Sequence, residues 1–89
     1  MLNKTIEAVV LVNEGDRVLV ARNVDDAKYD TLDFNTENWF KEDLNLCFYH
    51  YHNLGKFSVG DRIKIITNGI EMRSFPPQAN AIRITKKRR

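Results

Sequence analysis

Cysteine occurs once in the 89 residues, at Cys47, so no intramolecular disulfide can staple the chain and a small disulfide-framework scaffold is excluded. Proline is confined to the pair Pro76-Pro77, and the four glycines, at positions 15, 55, 60 and 69, each fall in a turn-like stretch rather than in a phosphate-binding loop. The N-terminal apolar run, Ala8-Val9-Val10-Leu11-Val12, is five residues long, too short for a membrane span or the core of a signal peptide. No GxxxxGK, GxSxG or HExxH pattern occurs, which removes the commonest nucleotide, serine-hydrolase and zinc-protease signatures.

A composition of 43% hydrophobic and 29% charged residues is that of an ordinary globular chain, too apolar for intrinsic disorder. Its length sets one domain, expected over residues 1–85 with a basic tail at 86–89. A domain of this size buries about 60 to 65% of the surface of its unfolded chain, so nearly every large apolar side chain is needed for the core and few remain for a substrate cavity. That economy argues against an enzyme. As written, the chain is expected to be cytoplasmic, or exported if it is a domain cut from a longer precursor.

The net charge of +2 conceals an asymmetry. Residues 1–43 hold ten acids against five bases, and residues 44–89 hold nine bases against two acids. Four of those bases close the chain as Lys86-Lys87-Arg88-Arg89. Such a tail can neutralise phosphates, or simply keep a terminus solvated.

Periodicity then divides the chain. Residues 5–12 and 17–24 alternate and are rich in β-branched side chains, and Asn13-Glu14-Gly15-Asp16 between them reads as a hairpin turn. Val18, Val20 and Arg22 fall on one face of the second strand, Leu19, Ala21 and Asn23 on the other. Residues 25–43 lose the alternation and carry a run of acids. A short helix is expected there with Thr36 as N-cap, placing Trp39, Phe40 and Leu44 as a plug for an open barrel end. Residues 46–51 alternate again, with Leu46, Phe48 and His50 opposed to Cys47, Tyr49 and Tyr51. Residues 62–67 form a further strand, Asn68-Gly69 a turn, residues 70–75 an irregular edge, Pro76-Pro77 a rigid link, and residues 81–85 a last strand. The expected fold is all-β: a small five-stranded antiparallel barrel of the oligonucleotide/oligosaccharide-binding (OB) type, with one short helix or long loop between strands 2 and 3. Val10, Val18, Val20, Leu46, Ile63, Ile65, Ile82 and Ile84 are its expected core.

The stretch Ser58-Val59-Gly60-Asp61-Arg62-Ile63-Lys64-Ile65, the Asn68-Gly69 turn, and Met72-Arg73-Ser74-Phe75-Pro76-Pro77-Gln78-Ala79-Asn80-Ala81 before Ile82-Arg83-Ile84 resemble the C-terminal half of the YobA-like domain of unknown function, found mainly in Gram-positive bacteria. The opening hairpin around Glu14-Gly15-Asp16-Arg17 is similar to the family's start. The resemblance covers about half the chain, implies an OB-like barrel, and brings no assigned activity. Many members look exported or lipid-anchored.

The residues closest to chemistry are Cys47, His50 and His52. The two histidines are spaced for one strand face, but Cys47 lies on the other and the chain has no third histidine, so neither a metal nor a cofactor is expected. Asp25, Asp26, Asp30 and Asp33 lack the spacing of a calcium loop. The expected function is a small non-enzymatic binding module. Tyr49, Tyr51 and Trp39 are its candidate stacking residues, Arg62, Lys64 and Arg73 would meet anionic groups, and Gln78 would bind polar groups or cap the backbone freed by the prolines. The alternatives are a protein-interaction domain docking a partner through an edge strand, and weak single-stranded nucleic-acid binding through Lys86, Lys87, Arg88 and Arg89.

Overall fold

The computed structural model describes residues 3–35, 39 and 43–87. Its strands are β1 (Lys4–Asn13), β2 (Arg17–Arg22), β3 (Leu46–His50), β4 (Arg62–Thr67), β5 (Glu71–Met72), β6 (Gln78–Asn80) and β7 (Arg83–Lys86), with one helix, α1 (Asp26–Thr31), between β2 and β3. They form an unclosed mixed sheet in the order β5-β6-β3-β2-β1-β4-β7. All pairings are antiparallel except β3 with β6.

The all-β class and the short helix between the second and third strands are as expected; the five-stranded antiparallel barrel is not, since seven strands form an unclosed sheet with one parallel pairing. Residues 78–86 divide into two strands at Ala81-Ile82, and β5 adds a further edge strand. β6 runs parallel to β3 because the chain reaches it from the far end, after the Pro76-Pro77 link. Within that link the Phe75–Pro76 peptide is cis.

The opening hairpin matches its sequence. Gly15 takes φ 93°, which a glycine accommodates without strain, and the Asn13 side chain accepts its N–H at 2.9 Å. Asn13 Nδ2 also donates to the carbonyls of Leu54 and Phe57, both at 2.9 Å, and so ties the turn to the loop that delivers those two side chains to the core.

Strand alternation sends two sets of side chains to opposite faces, and both are buried. Inside lie Val10, Val18, Val20, Cys47, Tyr49, Ile63, Ile65, Ala79 and Ile84, closed by Leu54 and Phe57. Outside, Val9, Leu11, Leu19, Ala21 and Leu46 are covered by Trp39 with Tyr29, Leu32, Phe34 and Leu44. Leu46 is therefore core, but in the outer layer. Ile82 is a correction: it is 53% exposed, because it sits in the two-residue link between β6 and β7 rather than within a strand.

The helix also differs from expectation. It begins at Asp26 with Asp25 as N-cap, whose side chain accepts from Lys28 N–H at 2.7 Å. The expected cap Thr36, and Phe40, lie outside the described residues. Trp39 packs with Phe34, ring centroids 6.0 Å apart, on the outer sheet face instead of plugging a barrel end.

Candidate functional site

Three strands build a shallow trough on the outer face. β3 turns Phe48 and His50 outward, β6 sets Gln78 opposite Phe48 and Asn80 opposite His50, and β5 sets Met72 opposite Gln78. The trough holds ≈ 350 Å³ and is lined by Ile70, Met72 and Ala79 with His50, Glu71, Gln78 and Asn80. That is near the lower end of small-ligand sites. On its floor His50 Nε2 and Gln78 Oε1 lie 2.9 Å apart in a side-chain hydrogen bond. Gln78 is thus joined to the His50 ring. Ile70 and Met72 are each 64% exposed, and Phe75 in the following bend is 73% exposed, a concentration of apolar surface in one hairpin.

A second hollow of ≈ 410 Å³ adjoins the first and shares His50 and Asn80 with it; Asp16, Tyr51, His52 and Ala81 complete its lining. Tyr51 is half-buried and its ring lies 4.6 Å from that of His52. β3 ends at His50, so His52 lies beyond the strand and does not share a strand face with His50. Among the described residues no cluster of three or more His, Cys, Asp and Glu side chains converges as a metal site would.

The remaining candidates are dispersed. Tyr49 is 0% exposed and Trp39 only 3%, so neither offers a ring for stacking; both were drawn inward because an 89-residue chain must bury its largest apolar groups. Arg62 pairs with Asp26 at 2.6 Å and lies over the Tyr29 ring at 4.4 Å. Lys64 is exposed on β4 opposite Glu7, and Arg73 is exposed just past β5. Lys86 and Lys87 are bound to the sheet: Lys86 reaches Asp61 at 3.5 Å and Lys87 reaches Glu7 at 2.8 Å. That hydrogen bond from Lys87, with its charge and those of Lys64 and Arg62, lowers the Glu7 pKa.

Sequence reasoning missed Arg22. It shares the inward row with Val18 and Val20, and a charge in an apolar row was the available signal. Its guanidinium donates to Asn45 Oδ1 at 2.8 and 3.2 Å, to Glu71 Oε2 at 2.9 Å and to Tyr49 Oη at 3.4 Å, sealing one end of the interior. Burial works against its charge, but the bonds to Tyr49 and Glu71 outweigh it and raise its pKa. Burial pushes the Cys47 thiol and the Tyr49 phenol up. A mixed-charge hollow of ≈ 590 Å³ beside Arg22 is lined by Asn23, Val24, Asp25, Lys28, Asp43, Leu44 and Asn45, and Arg22 itself is already engaged by Asn45, Glu71 and Tyr49.

The architecture has counterparts. The crystal structure of a YobA protein from Bacillus subtilis subsp. subtilis str. 168 superposes with a TM-score of 0.68 at 16% identity, over 97% of this chain and 96% of that one. The chain has the YobA fold. The solution structure of Bacillus subtilis YobA residues 21–120 agrees, with a TM-score of 0.66 at 13% identity over 97% of this chain and 82% of that one. No family profile matches the sequence, and no curated protein is significantly similar to it. The likeness first read from residues 58–84 therefore holds for the YobA fold across nearly the whole chain.

Proposed function

We propose that this chain is a non-enzymatic OB-type binding module that docks an extended segment of a protein partner along β5. The OB reading rests on the link between β6 and β7. There Ala81 N–H donates to the His50 carbonyl at 3.0 Å and Ile82 N–H to the Ile66 carbonyl at 2.7 Å, so one bent strand carries the ladder from β3 across to β4. With β6 and β7 counted together, the order becomes β1-β2-β3-(β6β7)-β4, and β5 is an addition outside it. The sheet face over β2 and β3, where OB domains take oligonucleotides and oligosaccharides, is occupied by Trp39 and the side chains around α1.

The observation that carries the docking reading is that Ile70, Met72 and Phe75, three of the large apolar side chains left in solvent, flank the strand at the sheet edge. A strand added there gains backbone hydrogen bonds from β5 and apolar contact in the trough. The sealed Cys47 and the engaged His50 fit a binding rather than a catalytic role.

Selection of short linear peptides on the immobilised protein, followed by mapping of amide chemical shifts, tests the reading. The expected result is perturbation centred on Ile70, Glu71, Met72 and Gln78. Peptides whose shifts map to the Trp39 layer or to β4 and β7 would overturn it.

A further inference from the structure

We propose that the strand docking on β5 is β5 of a second copy of this chain, in antiparallel register about Met72; this rests on the edge-docking reading and names its partner. The register follows from the direction of the backbone groups. Phe48 N–H bonds to the Pro77 carbonyl at 2.9 Å and Ala81 N–H to the His50 carbonyl at 3.0 Å, so residues 77, 79 and 81 aim at β3 and residues 78 and 80 at β5. Met72, opposite Gln78, therefore faces β6, whereas Glu71, opposite Ala79, aims its N–H and C=O away from the sheet. Arg73 lies in the bend just past β5 and would continue the outward row once the strand is extended by pairing.

A two-fold antiparallel pair must set outward-facing residues against one another. The short registers available place Glu71 against Glu71, Arg73 against Arg73, or Glu71 against Arg73 twice with Met72 on the axis. The first two oppose like charges and are disfavoured. The third forms two Glu71–Arg73 pairs. Arg22 already engages Oε2 of Glu71 and so holds the carboxylate in place for a second guanidinium. On the opposite face the same register sets Met72 against Met72 on the axis, with Ile70 of each copy, opposite Ser74, diagonal to the other copy's Met72, so that side chains each 64% exposed in the single chain gain apolar contact. The contact is small, so the dimer is transient and depends on concentration.

Analytical ultracentrifugation of the full chain over a wide concentration series should return a monomer–dimer equilibrium. Arg73→Glu should raise its dissociation constant about tenfold or more, since two attractive pairs become repulsive. Cysteine cross-linking fixes the register. Met72→Cys should form an inter-copy disulfide on mild oxidation, because residues opposed at a two-fold axis have close Cβ atoms, whereas the equally exposed Ile70→Cys should not. The native Cys47 is buried and does not compete. A chain that stays monomeric throughout, a dimer indifferent to Arg73→Glu, or equal cross-linking at the two positions overturns the proposal. If such a monomer still binds selected peptides at β5, self-pairing fails and edge docking stands; if selected peptides bind elsewhere, the docking reading itself fails.

Discussion

Tyr49 shows how far strand alternation can be read. The period of two places it with Cys47 and against Leu46, Phe48 and His50, and the structure keeps that division. What alternation lacks is a label for the inside, because here a layer of the same chain covers the other face as well. Tyr49 consequently belongs to the core, and its substitution should act on stability. Tyr49→Ala should cost about 3 to 5 kcal/mol in denaturant unfolding, the loss typical of a deleted buried aromatic ring. Tyr49→Phe keeps the ring and removes the hydroxyl's long bond from Arg22 and its bond with the Cys47 thiol, and should cost less than about 1.5 kcal/mol. Equal losses would place the weight on the hydroxyl rather than the ring. The raised pKa values of Cys47 and Tyr49 add a pH dependence. In the unfolded chain these groups ionise near their ordinary values of 9.0 and 10.0, while the fold holds both neutral beyond that. Their contribution is therefore complete below pH 9.0 and is lost as pH rises through and above it, so the melting temperature should fall on the alkaline side. Cys47→Ala should move the start of that fall toward the phenol's range, and an unchanged alkaline limb would remove the thiol from the account.

At the scale of elements, legibility tracked side-chain volume and turn chemistry. The β1–β2 hairpin, β3 and β4 were readable because Val, Ile and aromatic residues alternate between polar turns. β5 falls within the irregular edge expected at residues 70–75, whereas β6, three residues long, was not readable, since its place is fixed by the proline link and by β3 across the sheet. The helix was misplaced because acids are abundant from Asp25 to Asp43 and several could serve as a cap. α1 is six residues long and buries none of them completely, so it acts as a connector while Trp39 anchors the cover. The energetic consequence is measurable. Asp25→Ala, which removes one cap, should cost about 1 kcal/mol, and Trp39→Ala about 3 to 5 kcal/mol, both read from denaturant midpoints. The reverse order would mean that the helix, not the indole, holds the outer layer.

For the whole molecule, the split between an acidic first half and a basic second half has a structural outcome. The two halves meet across β1 and β4, where Glu7 takes up Lys87, while Lys86 pairs with Asp61 of its own half. The basic ending is thus partly spent within the fold, which bears directly on nucleic acid. An OB-type strand site would need the β2–β3 face, which Trp39 and its neighbours occupy, and the exposed aromatic rings expected from the sequence are not available there. What is left for phosphates is exposed charge such as Lys64, Arg73 and Arg83, away from the buried rings of Tyr49 and Trp39. Binding to single-stranded DNA or RNA is therefore expected to be weak and governed by charge alone, with at most a few phosphates neutralised and a logarithmic salt slope no steeper than about −3. Truncation is a poor test because Lys86 pairs with Ile63 across the β4–β7 ladder and its loss would disturb the sheet. The cleaner comparison replaces Lys86, Lys87, Arg88 and Arg89 with glutamine and titrates both proteins with labelled oligonucleotides at two salt concentrations. The substituted chain should bind more weakly, and moderate salt should abolish what remains. Tight binding that survives both changes and is lost on Tyr51→Ala would identify the hollow around His50 and Tyr51 as a nucleic-acid site and reverse this ranking.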